Sequence, residues 1–408
     1  MRSGEICFRF SAFWSASGLR SRKRLSTTCP QVTSCRPSPL ARISASPNVT
    51  VVILIKMAPR KNWSIFRSRD VLIAFVLTLA TFHCVRAAFF DNAVCEFMPL
   101  NQYENGTAYN PYQYRAMWVP ILHWAHSQHT LIRIANWLNV VGRPPEIFTP
   151  EKVLCALVAC VCLPLCCLIL TWLFLRRGGA IWWLPWLLTL EILFTSYVAR
   201  SVHAIWYPYD FPNLLFISIA TIFLFRQQFW PLLLLMPIAT INRETVVFWA
   251  VYWLVLLWDR QPRWRTLVQS AALSIAWAIP YIFLRYRYLH NPIEHESKLS
   301  MNLHVLLGPW SWPQLFSALG YLPLLILAFW SLTSRQHRRL IAAMAVTSLP
   351  LLWKGLWIES RIFLEYLPFT VIIASEMVER SGLFSTERLK TWKRFAAKQE
   401  QDHISNIA

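Results

Sequence analysis

The chain has 408 residues, of which 56% are hydrophobic and only 15% charged, against roughly 25% charged in an average soluble domain. That composition excludes a soluble enzyme, and apolar runs of about 18–20 residues, the length that crosses a hydrocarbon core, recur along it. The net charge of +20 does not make a nucleic-acid binder, because the basic residues gather at the ends of apolar runs instead of forming a basic footprint. That placement is the loop signature of a membrane protein.

Residues 1–56 are rich in Ser, Arg, Pro and Thr and carry no sustained periodicity. Met57 then opens a basic stretch and a long apolar run, as the start of a membrane protein does. Residues 1–56 therefore read as an over-extended start or a disordered extension. Arg20, Arg22, Lys23 and Arg24 among serines keep a targeting peptide as the rival. Residues 57–380 form a polytopic transmembrane domain, and 381–408 a basic cytoplasmic tail.

About ten spans are expected, near 70–89, 152–175, 180–198, 208–226, 229–241, 244–258, 267–284, 316–333, 339–354 and 361–378. The fold class is thus an all-α transmembrane bundle. Residues 229–258 are apolar except for Asn242, Arg243 and Glu244. A single tilted helix would hold those charges at mid-membrane, where each costs several kcal/mol. A hairpin of two short helices puts them at a surface or in a cavity.

Arginine placement orders the rest. Arg60, Lys61, Arg67 and Arg69, then Arg176 and Arg177, Arg226, Arg260 to Arg265, Arg335 to Arg339, and the tail all fall inside under the positive-inside rule. Both termini are then cytoplasmic. The outer face receives the loop 90–151, the loop 199–207, the turn 242–244, the loop 285–315 and the turn 355–360. Within the first loop, Leu131, Ile134 and Leu138 share one helical face beside Trp137, the pattern of a helix lying in the membrane interface.

Cys155, Cys160, Cys162, Cys166 and Cys167 crowd one apolar run and read as packing residues. Cys84 and Cys95 flank the outer end of the first span, where an oxidising compartment allows a disulfide.

The outer polar residues carry the functional signal. Asp91 follows the first span, with Glu96 and Glu104 after it. Pro-Tyr-Gln-Tyr-Arg holds Tyr114 and Arg115. His203 precedes Tyr-Pro-Tyr-Asp, which ends in Tyr209 and Asp210. Asn242-Arg243-Glu244-Thr245 forms the hairpin turn, and Glu359, Arg361 and Glu365 open the last span. Acids and arginines gathered at one face suit a lipid substrate bearing phosphate. Arginine grips phosphate with a bidentate fork, and a carboxylate deprotonates a hydroxyl or holds a divalent cation.

Plain structural roles compete at each position. Asp210 is placed to cap a helix, with Pro212 in the first turn. Arg361 and Glu365 can pair on one helix face. Asn242 can end one helix and Thr245 cap the next. Arg243 and Glu244, adjacent in sequence, point apart, so each needs its own partner if buried. Glu191, inside the third span, is an intramembrane acid and so a functional or paired residue.

A first span followed by a long outer loop with a membrane-proximal acid, an interfacial helix and then many spans resembles the GT-C class of glycosyltransferases. These are polytopic enzymes that use polyprenyl-phosphate sugars. The Tyr-Pro-Tyr-Asp and Asn-Arg-Glu-Thr segments look like those of uncharacterised bacterial multi-span proteins, which implies a bacterial cytoplasmic membrane. The resemblance implies sugar transfer from a lipid phosphate at the outer face, with Asp91 as base or metal ligand and Glu96 second. Asp91 and Glu96 stand five apart, where that class commonly pairs its acids. On this reading Arg115, Arg243 and Arg361 hold the phosphate, and Asp210 and Glu244 orient them. Tyr114, His203, Tyr209, Asn242, Glu359 and Glu365 complete the substrate side, and a divalent cation is the cofactor the acids could hold. The alternative is a transporter or flippase of an anionic lipid-linked substrate. Transporters commonly carry internal repeats and Gly/Pro-broken helices, whereas this chain shows no repeat and has 10 glycines in all.

Overall fold

A chain this apolar has to satisfy its backbone hydrogen bonds internally wherever water is absent, and helices do so within one segment. The computed structural model describes residues 68–90, 92–94, 98–141, 148–198, 205–293, 298–355 and 360–383. They are helical apart from short connections and two two-residue strands, β1 (Ala93–Val94) and β2 (Ile205–Trp206), which pair in parallel.

The α-helices in chain order are α1 (Ser68–Phe90), α2 (Leu100–Glu104), α3 (Val119–His126), α4 (His129–Val141), α5 (Pro150–Arg176), α6 (Leu184–Leu193), α7 (Asp210–Phe225) and α8 (Phe229–Asn242). They continue with α9 (Phe248–Leu257), α10 (Arg263–Arg287), α11 (Leu299–Leu307), α12 (Trp312–Phe316), α13 (Leu322–Ala328), α14 (Arg335–Lys354) and α15 (Leu367–Arg380).

Helices α1, α5 and α10, with 23, 27 and 25 residues, are long and apolar enough to cross a membrane. At about 1.5 Å per residue each exceeds the roughly 30 Å hydrocarbon core. Helices α1 and α10 leave large apolar side chains exposed, among them Leu72, Phe75, Ile275 and Ile279. Such contiguous apolar surface is compatible with an integral membrane protein. The other apolar helices are shorter. Residues 180–198 become a helix only from Leu184 and end in a π-turn over Phe194–Val198. The expected span 316–333 is broken at Ala318–Tyr321, where Leu319, Gly320 and Tyr321 all take positive φ. The last span opens as a 3₁₀ turn, Ser360–Tyr366.

The core is built from α5, α7, α9 and α15, with Leu163, Phe174, Trp249, Tyr252, Trp253 and Phe369 fully buried. The clustered cysteines do pack there. Cys155, Cys162, Cys166 and Cys167 are buried free thiols, and Cys166 Sγ lies 2.9 Å from Ser218 Oγ. Cys84 is free, and Cys95 lies outside the described residues. Helix α4 matches the expected amphipathic segment. Leu131 is buried, Ile134 and Leu138 pack against Phe148 and Val153, and Trp137 is exposed. At the basic end of the bundle, Glu376 of α15 binds Arg177 at 2.6 Å and Arg380 at 3.0 Å. Arg177 also meets His337 of α14 at 3.1 Å, so one carboxylate joins three elements.

Gly320 is where the broken segment seats on α6. Its φ is +63°, and a Cβ there would stand 3.1 Å from both Glu191 Cγ and the Ile192 nitrogen. Glu191 itself is exposed on α6. Its methylenes pack on Gly320 instead of presenting an acid to a site. Gly320→Ala should therefore lower stability by about 1–3 kcal/mol through left-handed strain and overpacking. A thermal unfolding midpoint unchanged from wild type would contradict this seating.

Candidate functional site

Helix α8 stops at Asn242 because Arg243 is extended, with φ −159° and ψ 130°. A 3₁₀ turn over Glu244–Val247 then leads into α9. The chain reverses here: the ring of Phe229, at the far end of α8, lies 5.7 Å from that of Trp253, midway along α9. The hairpin expected from the charge triplet is present, and α10 packs on both arms. The turn is buried, with Asn242 fully so and Arg243 7% exposed. Asn242 ends α8, but its side chain does more than finish a helix. Its Oδ1 accepts from Trp118 Nε1 at 3.1 Å, and its Nδ2 donates to the Tyr209 carbonyl at 3.2 Å. The hairpin is thereby tied to the segment between α2 and α3 and to the start of α7.

Arg243 and Glu244 do find separate partners. The Glu244 carboxylate receives Arg115 in a fork, from Nε at 3.0 Å and from Nη2 at 2.9 Å. Arg115 Nη1 donates to the Tyr209 hydroxyl at 2.5 Å, and its guanidinium lies 4.6 Å from the centre of that ring. Burial works against the Arg115 charge, yet Glu244 and Tyr209 outweigh it and raise the arginine's pKa. Arg243 lies between two acids: its Nε is 2.9 Å from Glu365 Oε1 and its Nη1 3.7 Å from Asp210 Oδ1. The Nε–H is not aligned on a hydrogen-bond acceptor, so the Glu365 contact is an ion pair rather than a directed bond. Thr245 Oγ1 donates to Glu365, and Tyr197 donates to Asp210 at 2.9 Å. Buried charges of this kind persist only when paired, because desolvating an ion costs several kcal/mol.

These groups form one wall of a cavity of about 440 Å³, within the usual size range of small-molecule sites. Arg115, Asp210, Arg243, Glu244, Arg285 and Lys298 all line it. The tyrosines around it are stacked: Tyr112 on Tyr207 at 5.4 Å, and Tyr207 on Tyr209 at 5.0 Å. Arg285, near the end of α10, lies over Tyr114 at 4.1 Å and over Tyr281 at 4.9 Å. Among the described residues no carboxylate pairs with it. Trp277, on the same helix, donates to the Glu244 carbonyl at 2.7 Å. Asn110 anchors the segment between α2 and α3 to the end of α10, donating from Nδ2 to the Tyr288 carbonyl at 3.0 Å.

The structure thus gathers Tyr114, Arg115, Tyr209, Asp210, Asn242, Arg243, Glu244 and Glu365. Tyr209, Asn242 and Glu365 stand just behind the cavity wall, and the other five line it. Asp91, Glu96, His203 and Glu359 lie outside the described residues, as does the Arg361 side chain, so the Arg361–Glu365 pairing falls there too. Asp210 is not a helix cap. It is the first residue of α7, no side chain caps that helix, and its carboxylate is engaged by Tyr197 and Arg243. Thr245 does not cap α9 either, since its hydroxyl is turned to Glu365. Arg285, Lys298 and Trp277 were not singled out from the sequence. The available signal for Arg285 was a basic residue in the last turn of an apolar helix whose other end already carries Arg263 and Arg265, since the positive-inside rule leaves few basic residues at the second end.

Comparisons of the chain with protein-family models, with curated proteins and with solved structures find no match. The geometry of the cavity is therefore the ground for a functional reading.

The Arg115–Glu244 fork is testable by a double-mutant cycle. Arg115→Met or Glu244→Met alone strands a largely buried charge and should lose about 3 kcal/mol. The double variant should recover most of that loss, and the coupling is read from thermal unfolding of the purified protein. Strictly additive losses would show that the two groups do not act as a pair.

Proposed function

We propose that the chain is a polytopic membrane glycosyltransferase that uses a polyprenyl-phosphate-linked sugar at the outer face of a bacterial cytoplasmic membrane. The observation that carries this reading is the cavity in which Arg115, Arg243, Arg285 and Lys298 meet Asp210 and Glu244. Arg115 and Arg243 are already committed to carboxylates. Arg285, stacked on tyrosines and paired with no described acid, is the cation left to take a phosphate, and Lys298 lines the same cavity.

The chemistry is a displacement at the sugar's anomeric carbon. An acceptor hydroxyl forms the new C–O bond, and the bond from that carbon to the phosphate oxygen breaks. Polyprenyl phosphate leaves with the electron pair. The hydroxyl proton passes to a carboxylate: Asp91 in the role the GT-C resemblance implies, or Asp210 in the cavity wall. Arg285 and Lys298 stabilise the charge that grows on the leaving phosphate. Arg243 holds Asp210 and Glu365 in place, and the Arg115–Glu244 fork fixes the turn.

The ten-span topology with cytoplasmic termini belongs to this proposal. The arms of the hairpin, 14 residues in α8 and 10 in α9, extend at most about 21 Å at 1.5 Å per residue. This is short of the roughly 30 Å core. The turn then sits below the outer surface, in protein and water, where exposed backbone is tolerated. Reporter fusions at Gly106 and at Arg265 should report opposite sides of the membrane. The same side for both would overturn the topology.

Activity is tested in proteoliposomes by release of polyprenyl phosphate from a polyprenyl-phosphate sugar. Arg285→Ala and Arg243→Ala should each reduce release by about 100-fold, the usual scale for removing a charge-stabilising group. Arg285→Ala should leave the unfolding midpoint in place, because no described carboxylate pairs with that side chain. Full activity in both Asp91→Asn and Asp210→Asn would refute the transferase reading. Lipid movement without bond cleavage would establish the transporter instead.

A further inference from the structure

A second cluster of ligating side chains stands apart from the cavity wall, where α2, α3 and α5 meet. Glu104 ends α2, His126 ends α3, and Glu151 lies in the first turn of α5. One ligand atom from each falls within 4.8 Å of the other two. His126 Nδ1 is 2.8 Å from Glu151 Oε1. The Glu151 side chain is 6% exposed and the His126 ring 73% exposed, so the cluster has a fixed floor and an open side. Tyr103, Leu122 and Ala125 are fully buried beneath it and hold α2 and α3 in place.

We propose that Glu104, His126 and Glu151 form a divalent transition-metal site, with zinc the ion it fits best. The donor set decides the class. One imidazole and two carboxylates suit Zn²⁺, whereas Ca²⁺ and Mg²⁺ take oxygen ligands alone or with water. Zinc bonds of about 2.0–2.2 Å require only that the His126–Glu151 contact open slightly to admit the ion between the two atoms. Two carboxylates this close repel one another. Burial and the Glu151 charge push the Glu104 carboxyl up, while His126 and His123 act in the opposite sense. The open side admits water as a fourth ligand.

The site pins two pieces of the outer loop to the start of α5. It also reaches the cavity through one residue: Tyr103, next to Glu104, donates its hydroxyl to the Arg115 carbonyl. A metal there would steady the segment that carries Arg115. The proposal does not depend on the transferase reading, because its test is metal binding itself.

The experiment titrates Zn²⁺ calorimetrically into the full chain, purified in micelles without a polyhistidine tag and stripped by chelator. Co²⁺ is added in parallel and its visible absorption recorded. Wild type should bind one Zn²⁺, excess Mg²⁺ should fail to displace it, and Co²⁺ should give the intense bands of a low-symmetry four-coordinate site. His126→Ala and Glu104→Gln should each weaken Zn²⁺ binding by about 10-fold or more. Both side chains lie away from the buried core, and an unchanged unfolding midpoint in the stripped state verifies that each variant is folded. No Zn²⁺ binding by wild type, or binding equal to wild type in both variants, would overturn the site.

Discussion

A buried charge has to be neutralised where it stands, and that constraint organises the part of this protein around the hairpin turn. The hairpin turn brings Arg243 and Glu244 into the interior side by side, and neither can serve the other because their side chains diverge. Each therefore recruits a partner from a distant element. Glu244 takes Arg115 from the segment between α2 and α3, and Arg243 takes Asp210 from α7 and Glu365 from the segment before α15. Two adjacent residues thus fix the relative positions of four parts of the chain. Breaking one such pair leaves a desolvated ion behind, and this is far costlier than never having built the pair.

The same constraint explains the cavity. Ionic groups cannot be covered by apolar side chains without loss, so they are ringed by groups that tolerate or need water. These are the stacked tyrosines at 112, 207 and 209, Trp277, and the Asn110 clamp between loop and α10. The inner pairs consume the charge of Arg115 and Arg243. Among the described residues Arg285 rests on the faces of Tyr114 and Tyr281, an arrangement that supports a cation without cancelling its charge.

Much of this was legible in the sequence, for identifiable reasons. The helical class follows from apolar runs that no soluble fold would expose. The hairpin follows from three polar residues in an otherwise apolar stretch of double length, and the ring contact of Phe229 with Trp253 shows the reversal. The convergence of Arg115, Asp210, Arg243 and Glu365 follows from arginines elsewhere that assign all four to one face. The Arg115–Glu244 pair was not legible, because its members stand more than 100 residues apart and leave no local trace. Asp210 resembled a cap because an acid before Pro212 commonly is one, but the buried Arg243 claimed its carboxylate. The break at Leu319 to Tyr321 was hidden because hydropathy does not register backbone handedness. Arg285 was missed because a charge count assigns topology by the majority of arginines and passes over the exception.

The central claim is that an arginine-lined cavity, held open by two buried Arg–carboxylate clusters, receives a lipid phosphate. The most direct measurement is native mass spectrometry of the purified protein released from micelles with polyprenyl phosphate, comparing wild type with Arg285→Ala. The account predicts one retained lipid on wild type and at least about 10-fold weaker retention on the variant, in keeping with the loss of a charge-assisted phosphate contact. Equal retention by the two proteins, or retention of an uncharged polyprenol as tight as that of the phosphate, would contradict it.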